Sequence, residues 1–194
     1  MQRGKADFGL LLVGMLWGLG FVFVKIGLNE GITPFYLLTI RFLVAFIILF
    51  VIFRSRLKNI EKSDLKNGFI IATFLFLGFA FQISGAALTT ASNNAFFTAI
   101  NVIIVPYIFW AIHKHVPNIF SFIAAGLCIL GVGILSFDSK MQLNQLNEGD
   151  ILTIISALFF AFHIAFTGFL STKSEPIKLN VIQMGFASVY SVIG

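Results

Sequence analysis

Apolar residues gather into seven long runs separated by short polar ties: 8–28, 34–53, 68–88, 94–112, 118–137, 151–170 and 179–194. A membrane-crossing helix needs roughly 20 apolar residues, about 30 Å at 1.5 Å per residue. The runs approach that length and lack strict apolar/polar alternation, so they predict α-helical spans rather than strands. Arg3 and Lys5 ahead of the first run imitate a secretory leader. That run is too long for a leader's apolar region and lacks a small-x-small exit, so it reads as an uncleaved first span. The last run stops at Ser191-Val-Ile-Gly194 without a polar or basic flank. A helix ending there leaves its last carbonyls unpaired, so the seventh helix is expected to be incomplete.

Composition strengthens this picture. The chain has 194 residues, 58% hydrophobic and 11% charged, where soluble domains carry about a quarter charged residues. Twenty-five Phe stand against three Tyr and two Trp. The single cysteine, Cys128, excludes an internal disulfide and a Cys-based metal cage.

Charge sets the orientation. Arg3, Lys5, Arg54, Arg56, Lys58, Lys62, Lys66, Lys114, Lys173 and Lys178 all fall at one end of the spans, whereas the opposite connections hold Glu30, Asp138, Glu148 and Asp150 with only Lys140. Basic connections stay in the cytoplasm, so the amino terminus is expected there. The net charge of +5 is thereby a consequence of topology, and no nucleic-acid partner is expected.

The chain also repeats itself. Asp7-Phe-Gly-Leu-Leu-Leu-Val-Gly-Met-Leu-Trp-Gly aligns with Asp150-Ile-Leu-Thr-Ile-Ile-Ser-Ala-Leu-Phe-Phe-Ala, and Pro34-Phe-Tyr-Leu-Leu-Thr-Ile-Arg-Phe with Pro176-Ile-Lys-Leu-Asn-Val-Ile-Gln-Met. Five spans separate the copies, so the second begins on the other side of the membrane; inverted repeats of this kind are typical of secondary transporters. With Leu16-Trp17-Gly18, Lys25, Arg41-Phe42, Ala87-Leu-Thr-Thr-Ala-Ser-Asn-Asn-Ala-Phe-Phe, Pro106, Gly126-Leu-Cys-Ile-Leu-Gly-Val-Gly and Gly149-Asp150 in this order, the sequence resembles the EamA family of the drug/metabolite transporter superfamily. One departure is His113-Lys114-His115, where family members often have Gly-Glu. The resemblance implies an all-α integral membrane fold of ten helices in two inverted five-helix repeats. Seven are expected here: residues 1–140 as the first repeat and 149–194 as the start of the second.

No hydrolytic triad, Walker loop or metal cluster is evident, so the chemistry to look for is selective passage; no enzyme activity or cofactor is expected. Polar groups inside spans are costly unless they face protein, water or solute. Helical spacing aligns Gly14, Gly18, Phe21 and Lys25, with Trp17 beside them; Gly78, Gln82, Gly85 and Thr89; Asn94, Thr98 and Asn101; and Ser156, Phe160, His163 and Thr167. The candidate solute pathway is therefore Trp17, Lys25, Arg41, Gln82, Asn94, Thr98, Asn101, His163 and Thr167. Gly14-x-x-x-Gly18 and the glycines of the fifth span read as close helix contacts. Pro106 removes a helix hydrogen bond and is expected to kink the fourth span. Lys25, near a span end, either snorkels or serves function. Arg41, roughly 10 Å into its span, either clamps carbonyls or attracts a carboxylate. His163 is either a hydrogen-bonding core residue or a solute- or proton-handling group.

The functional expectation is a secondary transporter of small organic metabolites, amino-acid-like or amphipathic. It works by alternating access in the cell (inner) membrane, with export implied by the resemblance. The alternative is a truncated subunit or remnant without autonomous transport, a dimer or dependent on a partner that supplies missing helices. The expected partners are a small-molecule solute and the lipid bilayer.

Overall fold

The first apolar run folds as α1 (Gln2–Asn29) and ends in a turn that its sequence prepares. Ile32 N donates to Gly27 O at 3.1 Å and Gly31 N to Leu28 O at 3.1 Å. This closure satisfies the last helix carbonyls and requires a left-handed residue, which Gly31 supplies at φ 86°. Pro34 then opens α2 (Pro34–Phe53), where its missing N–H costs nothing. A 3-10 turn (Arg54–Arg56) leads to α3 (Lys62–Leu88), followed by α4 (Ala91–Thr98), α5 (Asn101–His113), α6 (Ile119–Leu135), α7 (Glu148–Leu170) and α8 (Pro176–Ile193). The computed structural model describes residues 2–114, 118–135 and 146–193; His115, Asp138 and Lys140 lie outside them.

The helices extend beyond the apolar runs where polar side chains cap them. Glu61 and Asp64 form a reciprocal capping box on α3, and Asn147 and Asp150 form one on α7. Each box satisfies orphan backbone donors that an apolar start would leave unpaired.

Five stretches are long and apolar enough to cross a membrane among the described residues: Asp7–Asn29, Pro34–Arg56, Lys62–Leu88, Ala91–Ile112 (α4 and α5 together) and Glu148–Leu170. The other two expected spans differ for separate reasons. The described part of α6 is 17 residues long. In α8, Lys178, Asn180, Gln183, Ser188 and Ser191 dilute the apolar character of an 18-residue helix. The fourth span is interrupted at Ala99–Ile100, where bonds tighten to i+3 spacing: Ile100 N to Phe97 O at 3.2 Å, Val102 N to Ala99 O at 3.0 Å and Ile103 N to Ile100 O at 2.9 Å. Pro106 stands farther on, inside α5.

Packing centres on α3, which lies against α7 and α8, while α2 lies along α8. The main buried cluster joins Leu38 and Phe42 of α2, Leu75 and Ile83 of α3, Phe160 of α7 and Ala187 of α8. The α3–α7 crossing is set by glycine. A Cβ on Gly85 would lie 2.5 Å from Thr153 Oγ1 and 2.7 Å from Gly149 O, and one on Gly149 would lie 2.6 Å from Gly85 O. Farther along, a Cβ on Gly78 would meet the Phe160 ring at 2.9 Å. The expectation for Gly14 and Gly18 is corrected: a Cβ on either meets nothing within 4 Å, because α1 lies at the edge of the packing and its apolar stretch buries no residue. In α6 the outcome is divided, since Gly126 faces open space whereas a Cβ on Gly131 would meet Phe96 at 2.9 Å.

Contacts also tie the basic connections together. Lys178 Nζ donates to Asn59 O at 3.2 Å, Asn67 Nδ2 to Ser174 Oγ at 3.1 Å, and Arg56 faces Glu175 at 3.5 Å. At the other end of α3, Thr89 and Asn93 meet Asp150.

Gly85→Ala and Gly149→Ala are expected to destabilise the chain by about 1–3 kcal/mol each through overpacking. Gly14→Ala and Gly18→Ala are expected to leave stability unchanged or raise it, because helical alanine outperforms glycine by roughly 0.5–1 kcal/mol. Thermal unfolding in detergent micelles, followed by circular dichroism, checks both; equal losses at all four positions would contradict the packing.

Candidate functional site

The polar stripe of α3 points toward α4 and α7 and closes a buried hydrogen-bond network. Asn94 Nδ2 donates to Gln82 O at 2.9 Å and to Thr153 Oγ1 at 2.8 Å. Thr153 Oγ1 donates to Gly149 O at 2.7 Å, Thr98 Oγ1 to Asn94 O at 2.7 Å, and Gln82 Nε2 to Thr98 Oγ1 at 3.1 Å. Asn94 is 1% exposed and Thr153 0%, so each unmade bond would carry a desolvation cost of about 1–3 kcal/mol. At the rim of the network, Asp150 accepts from Thr89 Oγ1 at 2.6 Å while its second oxygen takes Asn147 N at 3.2 Å.

Beside this network lies a cavity of about 70 Å³ between α1, α2, α3, α4 and α7, enough for several waters. Its walls bring together five of the sequence-selected residues: Trp17, Arg41, Gln82, Asn94 and Thr98. Phe21, Phe79 and Phe160 supply aromatic surface. The Arg41 Cζ sits 4.8 Å from the Phe79 ring centroid, within cation–π range. Phe79 in turn meets Phe160 edge to face at 5.0 Å and Phe42 at 5.4 Å. The cation thus rests on an aromatic chain that reaches the glycine-lined α3–α7 contact.

Four selected residues lie elsewhere. Lys25 Nζ donates to Ala86 O at 2.8 Å and Ala87 O at 3.4 Å. Those carbonyls belong to the last turn of α3, where cations are favoured, so Lys25 caps a neighbouring helix and ties α1 to it. Asn101 opens α5 and is buried outside the cavity wall. His163 faces α8, with Nε2 2.9 Å from Gln183 Oε1; Gln183 Nε2 donates to Asn180 Oδ1 at 2.7 Å. Since the Gln183 oxygen can only accept, His163 donates, and the imidazole joins α7 to α8. Thr167, one turn along, keeps a buried hydroxyl oxygen without a partner among the described residues.

The sequence reading missed Thr153, Asn93, Gln183 and the coupling of Asp150 to the α3–α4 turn. Only the last left a readable sign, the Asn147-x-x-Asp150 capping pattern ahead of an apolar run.

Lys25→Met is expected to cost about 1 kcal/mol by leaving helix carbonyls uncapped, with Lys25→Arg recovering most of it. Thermal unfolding measures the loss; an unchanged midpoint for Lys25→Met would reduce the contact to simple snorkelling.

Comparison with known proteins agrees with this architecture. A family model described as the EamA-like transporter family matches residues 4–137. A protein of Archaeoglobus fulgidus described as an uncharacterized transporter is 36% identical over 183 residues, covering 94% of this chain and 55% of its own length. A second uncharacterized transporter from the same organism is 26% identical over 200 residues, covering 98% of this chain and 67% of its own. The chain therefore spans about half to two-thirds of the length of these relatives. No solved structure matches it. The apolar helices, the polar seam inside them and the family match together make this chain a member of the EamA-like transporter family, a multi-pass membrane protein.

Proposed function

We propose that the protein works as a secondary transporter, exporting small organic metabolites across the cytoplasmic membrane by alternating access, with the aromatic and polar cavity as its solute site. The observation that carries this reading is the composition of the cavity wall. It draws Trp17 from α1 and Phe160 from α7, the positions that the two sequence copies align, together with Arg41, Gln82, Asn94 and Thr98. A site shared between repeat units is where inverted-repeat transporters hold their solutes. A wall that combines aromatic faces with a few fixed polar groups suits an amphipathic or amino-acid-like solute.

The amino terminus is placed in the cytoplasm. In support, the connections that carry Arg54, Arg56 and Lys58 and those that carry Lys173 and Lys178 touch one another at a single end of the bundle, and such basic ends face inward. Seven crossings follow, with α6 and α8 as the shorter spans, in a ten-helix inverted-repeat architecture.

Reconstitution of the chain in liposomes is expected to give saturable exchange of at least one amphipathic solute, with KM altered by Trp17→Ala. Absence of exchange across a broad solute screen, with helicity intact, would reject autonomous transport. In a Cys128→Ser background, a cysteine at Ser92 is expected to react with an impermeant maleimide added outside intact cells, and one at Lys62 to be protected. Labelling of the Lys62 site alone would reverse the orientation.

A further inference from the structure

Among the described residues, Arg41 is the one cation in the cavity wall, and that wall holds no carboxylate. The acidic residues of the chain are Asp7, in the second turn of α1, then Glu30, Glu61, Asp64, Glu148, Asp150 and Glu175, at or just beyond helix ends, and Asp138, which lies outside the described residues. The single ion pair among the described residues joins Arg56 to Glu175. Arg41 makes no hydrogen bond among them either, and its one close partner is the face of Phe79 at 4.8 Å. Among the neighbouring polar groups, Asn94 spends its amide protons on Gln82 O and Thr153 Oγ1, Thr98 spends its hydroxyl proton on Asn94 O, and Gln82 Nε2 gives one of its two protons to Thr98 Oγ1. The guanidinium is thus the main unspent donor array in the wall, a planar fork that matches a carboxylate in bidentate geometry.

We infer that the cavity selects monocarboxylates with an apolar or aromatic body, the carboxylate held by Arg41 and the body laid against Trp17, Phe79 and Phe160. This rests on the cavity being the solute site proposed above. A single positive charge favours a singly charged head: a dianion would bring a second charge for which the described wall holds no partner. Lys25, the nearest candidate for a second cation, is committed to the α3 carbonyls and is not part of the wall. A cationic solute meets repulsion from Arg41, and a neutral one gains only the aromatic contact. Arg41 therefore acts as the residue that sets charge preference.

The test uses the full chain in micelles with Trp110→Phe, which leaves Trp17 as the only tryptophan and a reporter in the cavity wall. The probes are isosteric: 3-phenylpropionate, its neutral amide and 3-phenylpropylammonium. The carboxylate is expected to bind at least about tenfold more tightly than the amide, as a charge-assisted bidentate contact implies, with the ammonium weakest. Arg41→Gln is expected to abolish the preference while amide affinity stays within about twofold, which also reports that the variant is folded; Arg41→Lys is expected to keep part of it. Equal binding of carboxylate and amide, or a preference that survives Arg41→Gln, would overturn the monocarboxylate assignment and leave the cavity as a solute site. If none of the probes changes Trp17 emission while helicity is intact, the cavity reading fails, and this inference with it.

Discussion

Everything around the cavity depends on how closely α3 and α7 approach. Gly85 and Gly149 let the two backbones meet with no side chain between them, and Gly78 lets the Phe160 ring lie against α3. In a bilayer, apolar surface gains little by leaving lipid for protein, so association relies on close van der Waals contact and hydrogen bonds. Both are concentrated along this line. The Asn94–Thr153 bond at 2.8 Å forms only because the glycines have brought α7 within reach of α4.

The two cations within the helices show how position decides role. Lys25 and Arg41 look alike in sequence, each a positive charge in an apolar run. Lys25 reaches the carboxyl-terminal turn of α3, whose carbonyls supply acceptors and a favourable dipole. Arg41 faces the cavity and rests on Phe79 instead. One is consumed by the fold; the other lines the cavity with no hydrogen-bond partner among the described residues.

The outer surface is consistent with lipid as solvent. Leu12, Phe23, Ile48, Val51, Leu127 and Leu130 are exposed on α1, α2 and α6, as expected where the environment is as apolar as the side chains. Polar atoms are instead gathered inward, on α3, α4, α7 and α8, where they bond to one another. His163 belongs to this inward set: its bond to Gln183 makes it part of the α7–α8 contact.

Much of this was legible in the sequence because it follows from local physics. Long apolar runs determine helices in a bilayer, basic ties determine a common end, and Pro34 and Gly31 mark a helix start and stop. Helical spacing likewise put Gln82, Asn94 and Thr98 on polar stripes, since the period decides which positions share a face; that these three reach the cavity wall while Asn101 of the same stripe does not was decided by packing. The sequence could not say which glycines are contacts, because Gly14-x-x-x-Gly18 and Gly78–Gly85 have equivalent local patterns and differ only in whether a neighbouring helix is there. Nor could it assign Lys25 to the end of α3, His163 to Gln183 or Asp150 to Thr89. Those partners lie 20 to 61 residues apart, and only the packing of whole helices decides which donors and acceptors meet.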